Sequence, residues 1–259
     1  MDATKLERAV QALDHAQLVV AATGAGMSKE SGVPTFREAQ EGLWARYNPE
    51  ELASPHGFRR DPARVWGWYN YRRGIVARSS PHAGHEALAK LEKLVPQVAV
   101  VTQNIDGYHR EAGSSTVLEL HGNINRFKCF EHDHPVDIEI PLATGDGPVE
   151  PPRCPRCGSH VRPDVVWFGE MLPPGVFERA ESLARSCDVM LVVGTSGFVY
   201  PAAALPLAAR VGGATLIEVN TQPSQLTEVM DIFLQGPAGD VLSALVAGLA
   251  ARRSGSGHA

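Results

Sequence analysis

A histidine at the end of an apolar strand can take a proton near neutral pH, and His121, in the phrase LELHGNI over residues 118–124, stands in such a place. The same position would also suit a histidine that only caps the strand. Asn104 and Asp106 flank Ile105 in TQNIDGYHREAG, residues 102–113. Their amide and carboxylate can orient a polar ligand, and Asp106 can equally cap the short helix that follows. Tyr69 and Arg72 in WGWYNYRRGIV lie three residues apart, so on a helix they share a face. A guanidinium beside a phenol suits a carboxylate, although aromatic and arginine side chains at this spacing also pack and snorkel along helix surfaces. Cys154 and Cys157 form a C-x-x-C pair in a glycine- and proline-rich stretch, where a metal is a better fit than a disulfide scaffold. Cys187 opens an apolar segment and reads as a core thiol.

These residues need a frame. Apolar segments recur at residues 18–22, 98–101, 117–120, 189–193 and 216–219, separated mostly by stretches of helical periodicity. That alternation predicts an α/β fold, a Rossmann-like doubly wound parallel sheet covered by helices on both faces. Ligands collect at the carboxyl ends of such strands. The polar phrases follow their strands directly: Gly24-Ala25-Gly26 after the first, Gln103 to Asp106 after the second, His121 after the third, Gly194-Thr195-Ser196 after the fourth and Asn220 after the fifth. Small residues at Gly24 and Gly26 would let backbone N–H groups approach a phosphate, while a glycine pair after a strand is also a common chain reversal. The Gly194–Ser196 loop reads the same two ways.

Residues 38–80, rich in Trp, Tyr and Arg, and residues 125–163, carrying cysteines and prolines, interrupt the alternation and predict a smaller inserted domain, part helical and part zinc-ribbon-like. The sheet domain then comprises 1–37, 81–124 and 164–251, and the polar tail 252–259 is expected to be disordered. At 259 residues and 44% apolar composition, the chain can bury one substantial core. Its 24 basic and 29 acidic residues, net charge −5, argue against nucleic acid as the main partner. No apolar run reaches the roughly 20 residues needed to cross a bilayer, so a cytoplasmic protein with no membrane partner is expected. A monomer is expected.

Together the phrases GAGMSKESGVPTFR (24–37), TQNIDGYHREAG and LELHGNI resemble the sirtuin family, the NAD-dependent protein lysine deacylases, from about Leu18 to Leu249. The resemblance implies NAD as co-substrate, consumed rather than reduced, and His121 as the catalytic base. It implies an NAD pocket of Gly24, Ala25, Gly26, Phe36, Arg37, Gln103, Asn104, Ile105, Asp106, Gly194, Thr195, Ser196, Asn220 and Ala238, with Phe36 shielding the reacting ribose carbon from water. It also implies acyl-lysine protein substrates paired through their backbone with VVWFGE, residues 165–170, by β-augmentation. Val166, Trp167, Phe168 and Tyr200, with Phe198 nearby, would line the lysine tunnel.

Structural zinc in that family takes two cysteine pairs. Here Cys129-x-x-His132 stands where one pair belongs, beside Cys154 and Cys157. Zinc accepts three cysteines and a histidine, so His132, or His134 two residues on, could complete the site; a metal-free module is the other outcome. The Tyr69/Arg72 pair resembles that of sirtuins that remove succinyl and malonyl groups, and Ala39 would leave room for the longer chain. Two further readings use the same NAD site: mono-ADP-ribosyl transfer to a protein, and a non-catalytic NAD sensor.

Overall fold

The computed structural model describes residues 2–34, 48–143, 145 and 147–255. Phe36, Arg37 and Ala39 lie outside the described residues. In chain order the elements are α1 (Ala3–His15), β1 (Leu18–Thr23), a 3₁₀ turn (Ala25–Ser31), α2 (Pro49–Leu52), α3 (Pro55–Arg60), α4 (Pro62–Arg78), α5 (Ala83–Leu91), β2 (Gln97–Thr102), α6 (Tyr108–Glu111), β3 (Val117–Glu119), β4 (Gly122–Cys129), β5 (Val161–Val165), α7 (Val176–Ser186), β6 (Val189–Val193), α8 (Leu205–Val211), β7 (Thr215–Asn220), β8 (Ile232–Gln235) and α9 (Ala238–Gly255). Six strands form one parallel sheet in the order β3-β2-β1-β6-β7-β8, and β4 pairs antiparallel with β5 in a second, two-stranded sheet.

The period-2 geometry of a strand sorts residues to the two faces of the large sheet. Val19 and Ala21 of β1, Leu191 of β6 and Ile217 of β7 pack under α1, α5 and α9. Their neighbours Val20, Ala22, Met190 and Leu216 pack under α7 and α8. Both faces are therefore apolar, which is why the strands read as continuous apolar runs rather than alternating ones. β8 escapes the sequence reading because it is four residues long and opens directly after Asp231.

A third apolar cluster is separate from the sheet and mostly aromatic. Phe58, Trp66, Trp68, Tyr69, Tyr108 and Trp167 pack with Cys129, Cys154 and Val161. Propensity alone would not make α4 from so many aromatics. Asp61 caps it, accepting from the Arg64 N–H at 3.0 Å, and Pro62 opens its first turn, where a missing N–H costs nothing. Ile124, Val165 and Trp167, which the sequence division assigned to the sheet domain, pack in this aromatic cluster. That follows from β4 beginning at Gly122 and pairing Gly122 with Val165.

The tail differs from expectation. α9 continues through Arg252 to Gly255, because Arg252 and Arg253 each donate from Nε to the Asp14 carboxylate at 3.0 Å, tying the last turn to α1. Among the described residues, no helix is long and apolar enough to cross a membrane.

Candidate active site

A cavity of about 1170 Å³ opens at the carboxyl ends of β1, β2, β6 and β7, between the sheet and the aromatic cluster. Ligands collect where strand order reverses, and here that is between β1 and β6. From the sheet side it is lined by Gly24, Ala25, Gly26, Gln103, Asn104, Ile105, Asp106, His121, Gly194, Thr195, Ser196 and Asn220. Tyr69, Arg72, Val166, Trp167, Phe168 and Tyr200 line the other side. Ala238 is not in this lining. It is buried under the sheet at the start of α9, with its backbone against Gly84.

The glycines of the first turn have a reason the sequence does not display. Gly24 N–H donates to Val193 O at 3.0 Å and Gly26 N–H to Gly194 O at 2.8 Å. A Cβ at Gly26 would stand 2.8 Å from the Gly194 backbone, and one at Gly194, whose φ is +60°, only 2.3 Å from Met27 N. The two glycine turns touch each other, and this contact shapes the cavity floor.

Ser28, which the sequence alone does not single out, joins the polar residues of that floor. Its hydroxyl donates to Asp106 Oδ2 at 2.7 Å and accepts from Asn104 Nδ2 at 2.9 Å, while Asn104 also donates to Gly24 O at 3.0 Å. Both N–H donors of the Asn104 amide are thus used, which leaves its oxygen as the group for a ligand donor. Asp106 caps α6, its Oδ1 accepting from the Tyr108 N–H at 3.0 Å, and the residue also lines the cavity. Burial raises its carboxyl pKa, against the lowering effect of those hydrogen bonds. Gln103 Nε2 donates to Thr195 Oγ1 at 3.3 Å, and Asn220 Nδ2 to Thr195 O at 3.1 Å, so both brace the Gly194–Ser196 loop.

His121 follows β3 and precedes Gly122, as its phrase implies. Its Nδ1 lies 3.0 Å from Gln103 O. A carbonyl oxygen only accepts, so Nδ1 carries the proton and the neutral ring presents Nε2 as the basic nitrogen. Burial lowers the imidazole pKa, opposed by the Gln103 contact, and the ring stays neutral at physiological pH. Behind the floor lie two more buried imidazoles. Burial pushes His85 down to about 2 and His109 down to about 4, and His109 Nε2 lies 3.0 Å from Thr23 Oγ1 at the end of β1.

Opposite this floor, Trp167 Nε1 donates to the Tyr69 hydroxyl at 2.9 Å, and Tyr69 is 5% exposed. Burial pushes the Tyr69 phenol up to about 12, opposed by Arg72, so it stays protonated. Burial lowers the Arg72 pKa, opposed by Tyr69 and Asp106. Its guanidinium carbon lies 5.1 Å from the centroid of the Trp68 ring. Phe168 and Tyr200 are exposed at the mouth.

The metal module lies at the far end of the second sheet. Cys129 Sγ, His134 Nε2 and Cys154 Sγ all fall within 4.8 Å of one another, and Cys129 Sγ is 3.5 Å from Cys157 Sγ. A zinc tetrahedron with Zn–S near 2.3 Å has edges of about 3.8 Å, so this donor set fits the ion. Burial alone would raise the Cys154 thiol, but the N–H groups of Arg156 and Cys157 and the His134 ring hold it down to about 6. The histidine that lies beside the thiols is His134, its Nε2 3.2 Å from Cys154 Sγ, rather than His132. Asp133 adopts φ +56° and the Cys129 N–H returns to His134 O at 2.9 Å, so the turn carries His132 outward, where it is exposed.

A parallel α/β sheet whose turns converge on a large cavity, with a neutral imidazole at its edge, belongs to the class of α/β proteins that take ligands at the carboxyl ends of their strands. The sequence matches the Sir2 family over residues 24–201. A protein named NAD-dependent protein deacylase 2 from Pyrobaculum aerophilum is 51% identical over 226 residues, 86% of this chain and 88% of that one. A crystal structure of a Sir2 homologue–NAD complex superposes with TM-score 0.87 at 42% identity, covering 95% of this chain and 94% of the other. The structure of Sir2Af2 bound to a myristoylated histone peptide gives TM-score 0.77 at 34% identity, covering 97% and 99%. The chain belongs to the Sir2 family.

Proposed function

We propose that this Sir2-family chain, an NAD-dependent protein lysine deacylase, removes succinyl and malonyl groups from lysine in preference to acetyl. The observation that carries the finer reading is the Tyr69/Arg72 pair: a protonated phenol and a guanidinium line the same cavity as His121. An acyl chain ending in a carboxylate would meet charge-assisted donors there, which an acetyl methyl group cannot use.

When bound, NAD supplies the ADP-ribosyl group that accepts the acyl chain and nicotinamide as the leaving group. The floor residues Gly24–Gly26, Gln103–Asp106, Gly194–Ser196 and Asn220 would hold it. His121 Nε2 takes a hydroxyl proton, and Gln103 O fixes the tautomer that makes this possible. The Ser28–Asn104–Asp106 network keeps the polar groups in place, so positioning contributes much of the rate.

A substrate peptide would approach the 165–170 segment at its Gly169 corner. The Val166, Trp167 and Phe168 N–H groups are already donated, to His121 O, Glu170 Oε2 and Ala53 O. The test is nicotinamide release and peptide mass with NAD, on succinyl-lysine and acetyl-lysine forms of one peptide, for wild type and Arg72→Met. The wild type should favour succinyl and the variant should lose that preference by about tenfold or more. An unchanged ratio of kcat/KM would remove the carboxylate clamp and leave a deacylase of other preference.

A further inference from the structure

Trp167 is buried in the aromatic cluster, where any indole would pack, yet its surroundings are unusually polar. Its ring lies 3.3 Å beneath the Arg162 guanidinium carbon, and Arg162 is itself 2% exposed. Arg162 is fixed by Glu170, which it meets through both terminal nitrogens, and by Val165 O at 2.7 Å. Glu170 Oε2 also accepts the Trp167 backbone N–H at 2.8 Å. The indole is thus held by its backbone, by a stacked cation and by packing against Phe58 at 5.3 Å. The one polar atom it presents, Nε1, points at the Tyr69 oxygen.

An indole N–H is a donor only, whereas a phenol is one donor and an acceptor. With the Tyr69 oxygen accepting from Trp167, its proton is left to donate, and none of the hydrogen bonds among the described residues uses it. Burial keeps that proton on, as the raised phenol pKa indicates. A carboxylate accepts and cannot donate, so a tyrosine fixed as donor matches it, while a rotating hydroxyl would spend part of its time in the wrong sense.

We infer that Trp167 is a positioning residue for acyl selection: its indole N–H, clamped by the Arg162–Glu170 pair, commits the Tyr69 hydroxyl to donating toward an acyl carboxylate. This rests on the carboxyl-acyl preference proposed above. Trp167 acts through Tyr69 and does not itself bind the carboxylate.

Trp167→Phe keeps an aromatic ring under Arg162 and removes only the N–H. It is compared with Tyr69→Phe, Arg72→Met and the Trp167→Phe/Tyr69→Phe double variant on succinyl- and acetyl-lysine peptides. The expected result is a fall of about fivefold in the succinyl-to-acetyl ratio of kcat/KM for Trp167→Phe, expressed mainly in the succinyl KM. The double variant should be no less selective than Tyr69→Phe alone, because the two residues act in series. A proportional loss on both peptides, or additive losses of selectivity in the double variant, would reduce Trp167 to packing and overturn the inference. If Arg72→Met changes the ratio and Trp167→Phe does not, only the role of Trp167 falls. If neither changes it, the carboxylate reading fails and the Trp167 role falls with it.

Discussion

On the sheet side of the cavity, Ser28, Asn104 and Asp106 are tied to one another by hydrogen bonds, Asn104 also to the Gly24 turn, and Gln103 to Thr195 of the Gly194 turn. On the aromatic side, Tyr69 and Arg72 stand among Trp68, Trp167 and Phe58, and among the described residues the Trp167 indole N–H is the one hydrogen bond on the phenol. The first wall fixes its side chains through several polar contacts. The second wall is shaped by ring packing, and in the reading proposed above an exchange of one side chain there should alter what it recognises without disturbing His121. In the proposed reading, that difference separates a reaction common to all acyl groups from a selection among them.

The largest break of that separation would come at His121. His121→Ala should lower nicotinamide release by about 100-fold or more on succinyl and acetyl peptides alike, with NAD binding by calorimetry largely retained. Loss on one peptide alone would show that the two walls do not divide the work as described.

Acid should weaken the sheet wall. His85 and His109 are neutral when folded, with pKa values pushed to about 2 and about 4. Unfolded histidines bind protons below about 6.5, so between the two values the unfolded state holds more protons and stability falls as pH falls. Denaturant titrations should show a loss of roughly 3 kcal/mol from pH 7 to pH 5. A flat profile would mean these imidazoles are not held neutral.

The smallest expected effect tests the module behind the aromatic wall. His134→Ala should lower bound zinc per chain and the Tm by roughly 5 °C, while His132→Ala should change neither. The reverse outcome would reassign the fourth ligand.

Much of this arrangement was legible in the sequence, because strands buried on both faces read as apolar runs and each polar phrase follows its strand at once. His121, the QNID phrase and the C-x-x-C pair were visible as chemistry. The choice between His132 and His134 was left open, because it depends on the left-handed turn at Asp133 that reverses the chain between them. Ser28 was hidden among small residues whose spacing advertises a turn, and only the fold shows its hydroxyl reaching Asp106 across 78 positions. Ala238 sits in the core cluster and outside the cavity lining, a placement the sequence could not give because a small residue before a helix looks the same whether it faces a ligand or a core. The continuation of α9 depended on Asp14, a partner far away in sequence.

The excursion that carries the cysteine module leaves at Gly122 and returns at Val165, its two ends paired and closed by the Val166 N–H on His121 O at 2.9 Å. Gly122 adopts φ +78°, and a Cβ there would stand 2.1 Å from Asp164 O, so the neck of this loop admits no larger residue. Evolution could therefore lengthen, prune or replace the whole cassette beyond that neck while the drawstring at its base keeps the imidazole where it is.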